Sequence, residues 1–362
     1  MSEQVAERIR RAIRERGPIT FAEFMQHALY GPGGFYERPP VGRDGHFVTS
    51  PHVHPVFARL VGVGLERMWV TLERPVPFLL LEAGAGDGTM ARELLEGFAR
   101  GGIAVDYSAV EASSGARDAL RHLPIRVHER VTDAVPVDGG VVLANELLDN
   151  LLVRRVRKVG DDIVELRVGI DGGRLVAVDT PCDEHLAAAS PPLSPDEEGV
   201  VPVGAMSFID DLAGALTRGY ALLIDYGREQ GPAGQIHGYR SHRVLEDVLD
   251  DPGSADITAG VDLGGVRERA RARGFQAFEP VPQRSALMAL GFEEWARREL
   301  EHQQGLLAAE KGLRAVRTWE GRSRASLLVD PAALGRLRWL VLATTGLPAP
   351  DWLEHALGHR TG

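Results

Sequence analysis

Residues 78–97, FLLLEAGAGDGTMARELLEG, limit the fold more than any other stretch of this chain. The apolar run is short and unbroken, as in a strand buried on both faces. Glycines at 84, 86 and 88 end it, and Met90, Ala91, Leu94, Leu95 and Phe98 then recur at helical spacing. The unit is strand, glycine turn, helix, and it repeats. AVDYSAVEA reads as a second strand, SSGARDALRHL as a helix, IRVHE as a weak strand, and GGVVLAN and RGYALLIDYG as strong ones. Such alternation builds a mostly parallel sheet with crossover helices, an α/β fold of the Rossmann-like kind.

Two regions depart from that rhythm. Between GGVVLAN and RGYALLIDYG, residues 151–180 alternate apolar and polar side chains across the turns GDD and DGG, which predicts an inserted antiparallel meander within 151–205. At the start, Val5, Ile9 and Ile13 form a helical stripe, and Thr20 reads as the N-cap of a second helix, FAEFMQHAL. A Gly- and Pro-rich loop with Tyr30, Phe35, Tyr36 and Phe47 follows. Residues 1–75 are expected to form a helical and loop cover over a Rossmann-like domain at 76–350, with helical additions at 285–330 and a tail at 351–362. LRWLVLATTG is expected to close the sheet as an edge strand.

The charge balance narrows the partners. A net charge of −10 argues against nucleic acid, whose phosphates need a basic face. Cys182 is the single cysteine, which leaves no disulfide framework and no thiolate cluster. No apolar run reaches the ~18 residues of a membrane span, and the arginines of the first sixteen residues are interleaved with glutamates, unlike a targeting peptide. A cytoplasmic protein without membrane insertion is expected, and a homodimer stays open. His27, His46, His52 and His54 lack ligand spacing with a carboxylate, so no metal site is expected.

The glycine loop has acids where a phosphate loop has none. Glu82 ends the first strand, Asp87 lies inside the loop, and Thr89 stands where a dinucleotide fingerprint needs its third glycine. Negative charge suits a cation better than a pyrophosphate, and S-adenosylmethionine (SAM) carries a sulfonium and an ammonium. Gly84, Gly86 and Gly88 let backbone approach such a ligand, and Glu111, at the end of the second strand, is placed to accept ribose hydroxyls. NAD and a plain strand–helix turn stay open at this stage. Farther on, VLANELLDN places Glu146 and Asp149 three apart after the fourth strand. They read either as carboxylates facing an acceptor or as the start of a helix that Asn145 caps.

Seven blocks in order decide among these readings: ITFAEFMQHALYGPGGFY, GHFVTSPHVHPVFARLVG, LLEAGAGDGTMARELLEG, VLANELLDNLLVRR, DYGREQGPAGQIHGYRSH, DDPGSADITAGVDL and LLVDPAALGRLRWLVL. Together they resemble the MidA-like SAM-dependent methyltransferases over residues 18–345. The resemblance implies a class I methyltransferase sheet that binds SAM at the glycine loop. Thr49 and Ser50 match a family block near the cofactor, and Asn145 is assigned to the cofactor or the turn. Glu146 and Asp149 match the block after the fourth strand, and they are taken as the catalytic, acceptor-facing carboxylates. The family's mitochondrial member dimethylates an arginine of a complex I subunit, so the expected partner is an acceptor protein such as an NADH dehydrogenase subunit. A small-molecule acceptor, or SAM binding without turnover, are the other readings. The chain departs from the family pattern at His46, at His52, where Glu is usual, and at Asp87, where Arg is usual. Tyr239, Arg240 and His242 are further candidate acceptor contacts, and Asp225 a candidate lining residue.

Overall fold

The computed structural model describes residues 2–37, 49–134, 136–229, 235–240 and 243–358. His46 and His242 therefore lie outside the described residues. The sheet begins with Phe78–Ala83 (β1), buried along nearly its whole length and paired in parallel with Val105–Val110 (β2) and Val137–Asn145 (β4). β2 pairs with the short Arg126–His128 (β3), and β4 with Leu216–Asp225 (β9), all parallel. The chain thus runs outward from β1 to β3, returns to the other side of β1, and continues through β4 to β9. Strand order reverses between β1 and β4, and ligands of such sheets bind in the crevice beyond the carboxyl ends at that reversal.

Glycine sets one detail of the sheet. The register of β4 on β9 shifts near Gly140, and a Cβ on Gly219, whose φ is +150°, would sit 2.0 Å from the Gly140 carbonyl oxygen. Glycine at 219 lets β9 approach β4 so closely, and glycine at 140 serves the other neighbour, since a Cβ there would sit 2.2 Å from the Leu79 carbonyl oxygen of β1.

Arg338–Ala343 runs antiparallel to β9, as the last long strand. It is not the edge strand expected from its sequence, because Gln276–Ala277 and Val281–Pro282 pair with its outer side. Two-residue strands carry no periodicity, so sequence cannot show them. Within the expected tail, residues 351–358 are ordered differently. Asp351–Gly358 is a helix, and Trp352 is fully buried with its ring 5.7 Å from that of Trp339.

The inserted region is a four-stranded antiparallel sheet. Arg154–Val159 (β5), Asp162–Asp171 (β6) and Arg174–Pro181 (β7) meander, and Glu198–Val201 (β8) pairs with the free side of β5. The described residues among 1–75 split between two cores rather than forming one cover. Ser2–Arg16 (α1) buries Val5, Ile9 and Ile13, and Phe21–Met25 (α2), started by a Thr20–Glu23 capping box, buries Phe21 and Phe24. Both helices lie with Val168 and Val200 of the meander, and Ile19 bridges to Val168. After α2 the helix continues as a π-turn over Gln26–Tyr30. The short helix Ser50–Val53 (α3) leads into Val56–Thr71 (α4), whose Phe57, Leu65 and Met68 join the main core under the sheet with Tyr220 and Trp339. Gln283–Ala289, Phe292–Ala308 and Gly312–Ser326 supply the added helices.

Candidate active site

At the carboxyl ends of β1, β2 and β4 lies a cavity of about 1020 Å³. Its cofactor-side wall is the glycine loop, which leads into Thr89–Arg100 (α5). Gly84 and Gly86 have φ of +72° and +54°, the left-handed region that glycine enters without strain. Nothing lies within 4 Å of where a Gly86 side chain would begin, so backbone faces open space there. Glu111 holds the loop from β2, its Oε2 accepting from the Gly86 amide and its Oε1 from the Ser113 amide, both at 2.9 Å. Burial raises the Glu111 carboxyl, and those amides pull it back.

Glu82 is in a different state from the charged acid its sequence position suggested. It is 3 % exposed, accepts a 2.6 Å hydrogen bond from the Tyr107 hydroxyl, and is pushed up to about 8 by burial, with Glu111 and Asp87 adding to the effect. Asp87 goes the other way. Burial would raise it, yet hydrogen bonds from His52 and Thr89 hold it at about 2.

The far wall is acidic and aromatic. β4 ends at Asn145, and Glu146 then turns the chain with a φ of +51°, rare for a non-glycine residue. Leu148–Asn150 form a single 3-10 turn. Glu146 and Asp149 therefore do not share one helical turn, and Asn145 caps no helix. Both acids still line the cavity. Glu146 Oε1 accepts from the Ser50 amide at 2.9 Å and from the Asn145 side chain at 3.3 Å. Asp149 Oδ1 is buried without a hydrogen-bond partner, as is Asn145 Oδ1. Burial, then Asp225, Asp256 and Glu146, push the Asp149 carboxyl well above the usual range.

Behind this wall Asp225, 1 % exposed, accepts from the amides of Leu148 and Tyr226 at 2.6 and 2.7 Å. It braces the 3-10 turn and does not line the cavity. Asp256 does line it, accepting from the Tyr36 hydroxyl at 2.7 Å and the Asn150 amide group at 3.0 Å, and burial pushes it up to about 6. Tyr30 and Tyr36 stack with ring centroids 5.5 Å apart.

Of the residues singled out from sequence, Thr49, Glu82, Gly84, Gly86, Glu111, Asn145, Glu146 and Asp149 meet at this one cavity. Ser50 is buried behind it, and Gly88 starts α5 with its Cβ position 2.8 Å from Leu123, away from the opening. His52 lines the wall. His54 packs against Trp295, and burial lowers it to about 4. Tyr239 faces the cavity, whereas Arg240 pairs with Asp251 at 2.9 Å. Sequence reasoning passed over Asp256, Asn150 and the pairing of Tyr30 with Tyr36. The acid in SADITAG was the one available signal. Among the described residues no group of three His, Cys, Asp or Glu side chains could hold a metal ion, and no helix is long and apolar enough to cross a membrane.

Comparison with known proteins agrees with this architecture. Residues 60–281 match the family described as "Putative S-adenosyl-L-methionine-dependent methyltransferase". The protein arginine methyltransferase NDUFAF7 of Mus musculus mitochondria is 30% identical over 78% of this chain and 72% of its own length. The mitochondrial NDUFAF7 homolog of Drosophila melanogaster is 29% identical over 93% of this chain and 84% of its own. A COG1565 superfamily member from Burkholderia thailandensis, solved with S-adenosyl-homocysteine bound, superposes with a TM-score of 0.82 at 26% identity, covering 97% of this chain and 95% of that one. Sheet order, the glycine loop at the reversal point and the match over most of the chain coincide: this protein belongs to that family of SAM-dependent methyltransferases.

Proposed function

We propose that the chain methylates a guanidinium nitrogen of an arginine in a partner protein, with an NADH dehydrogenase-type subunit as the partner class. The observation that carries this reading is Asp149, whose buried oxygen lacks a partner in a chamber walled by Asp256, Tyr30 and Tyr36. A guanidinium brings several N–H donors and is attracted to carboxylates and aromatic faces alike. The arginine methyltransferase names of the relatives support the same class.

The cofactor fits this chain. The glycine loop is open toward the cavity, Glu111 is at the end of β2, and Asn145 keeps an unpartnered buried oxygen. Bound there, SAM would supply a methyl group activated by its sulfonium, whose carbon–sulfur bond breaks as the acceptor bond forms and leaves S-adenosyl-homocysteine. In this proposal Gly84, Gly86, Glu111, Asn145 and Thr49 hold it. Asp149 accepts a hydrogen bond from the acceptor guanidinium, aligns one nitrogen, and takes the proton that nitrogen loses as its bond to the methyl carbon forms. Glu146 has a narrower part than its sequence position suggested. Its bonds to Ser50 and Asn145 fix the wall beside the reacting atoms, and its charge favours the cation.

The test is labelled SAM with extract of the protein's own cells. Label in a protein band that hydrolyses to methylarginine is the expected result. Label confined to small molecules, or none despite SAM binding, overturns it in favour of a biosynthetic acceptor or a non-catalytic assembly role. Asp149→Asn is expected to lower turnover at least ~100-fold while S-adenosyl-homocysteine binding stays within about threefold; unchanged turnover would sink the assignment. The proposed compartment is the cytoplasm, which cell fractionation checks.

A further inference from the structure

We propose that His52 is a positioning residue for the cofactor: its ring ties residues 49–53 to the glycine loop, and cutting that tie weakens binding of SAM and its product.

The two walls of the cofactor half come from distant parts of the sequence. Thr49, Pro51 and His52 line one side, and residues 82–87 with Thr89 line the other. His52 spans them. Its Nδ1 is 2.8 Å from the Thr49 hydroxyl, and its Nε2 is 3.1 Å from Asp87 Oδ2. A carboxylate only accepts, so Nε2–H donates to Asp87, and the Thr49 hydroxyl, which can give or take, completes the contact at Nδ1. Thr49 occupies the N-cap of α3, yet its side chain makes no capping bond there. The hydroxyl that would ordinarily serve the helix start is committed to the ring instead.

The tie completes a closed circuit around the cofactor position. The end of β4 holds residue 50 through Glu146 and the Ser50 amide. Residues 49–53 hold the glycine loop through His52 and Asp87. The loop is held to β2 through the Gly86 amide and Glu111, and to α5 through Asp87 Oδ1 and the Thr89 amide, at 3.0 Å. The ring is well covered, with 12 % of its side chain exposed against 28 % for Asp87, so water competes poorly for the contact. A loop already held in its binding geometry loses less freedom when the ligand arrives.

Calorimetric titration with S-adenosyl-homocysteine tests this on full-length variants whose folding is verified by circular dichroism. His52→Ala is expected to raise Kd ~tenfold or more, the loss of a hydrogen bond to a charged group. His52→Glu sets two carboxylates against each other and is expected to bind more weakly still. The double variant His52→Glu/Asp87→Asn removes that repulsion, offers an amide donor to the new acid, and keeps an oxygen for the Thr89 amide. Its Kd is expected to return to within about threefold of the parent, a rescue that general damage to the core would not give. The proposal is overturned if His52→Ala binds like the parent, or if the double variant binds no better than His52→Glu. Hydrogen exchange supplies a second readout: amides of residues 49, 50, 52 and 53 should be protected by the ligand in the parent and markedly less so in His52→Ala, and equal protection counts against the tie.

Discussion

Charge state is where residue identity and residue behaviour part company. Glu82 and Glu111 were legible as strand-end acids, and VLANELLDN as a site-bearing block, because a strand end beside a glycine turn is readable in one dimension. Their protonation was not, since it depends on Tyr107, Asp225 and Asp256, which arrive from other elements. Nor was the left-handed turn at Glu146 readable, because nothing in a glutamate announces a positive φ. Glu82 gives a direct consequence. Its carboxyl sits at about 8 in the folded protein against an ordinary 4.5, so between those values the native state keeps a proton that the unfolded chain releases. Stability should therefore fall as pH rises through that window. Glu82→Gln should flatten the decline, as urea midpoints at pH 5, 6, 7 and 8 would report; parallel curves for parent and variant would refute the burial argument. The cluster of Asp149 and Asp256 predicts a second proton effect. A cation entering that chamber draws the raised carboxyls back to their charged form, so binding releases protons and tightens with rising pH. Titrating an arginine peptide, with S-adenosyl-homocysteine present, in buffers of different ionisation heat should show that release.

At the scale of elements, two glycines are predicted to fail differently. Gly219→Ala drives a methyl into the Gly140 carbonyl, so it should cost ~3 kcal/mol or more of stability by denaturant unfolding. At Gly86 an added Cβ meets no protein atom within 4 Å, and the fault of Gly86→Val is a side chain at a φ of +54° pointing into the cofactor's space. It should abolish S-adenosyl-homocysteine binding while costing only the ~1–2 kcal/mol of that backbone strain, less than Gly219→Ala. If Gly86→Val bound the ligand normally, the loop would not be the cofactor wall. The departures from the family pattern also make sense at this scale. Two of them, His52 for Glu and Asp87 for Arg, are 3.1 Å apart in space. The His52 ring faces the cofactor loop.

On the scale of the whole molecule, the alternating strands and helices could be read from Phe78 onward because strands buried on both faces are continuous apolar runs. The outer layers could not. The helix Asp351–Gly358 is short, and its reason for existing is the contact of Trp352 with Trp339 across the core. Trp352→Ala should accordingly destabilise the protein by ~3–5 kcal/mol in chemical unfolding; a loss under ~1 kcal/mol would mean the end of the chain is the loose tail its sequence suggests. Distance along the chain has a further effect on the bond between Tyr36 and Asp256, whose partners are separated by 220 positions. A ribosome making this protein releases the first tyrosine-bearing helices long before the strand that receives them exists. The wall that Tyr36 and Asp256 share is therefore completed only well after the glycine loop has been made, and a chain cut before residue 256 carries that loop without the acid that faces the two tyrosines.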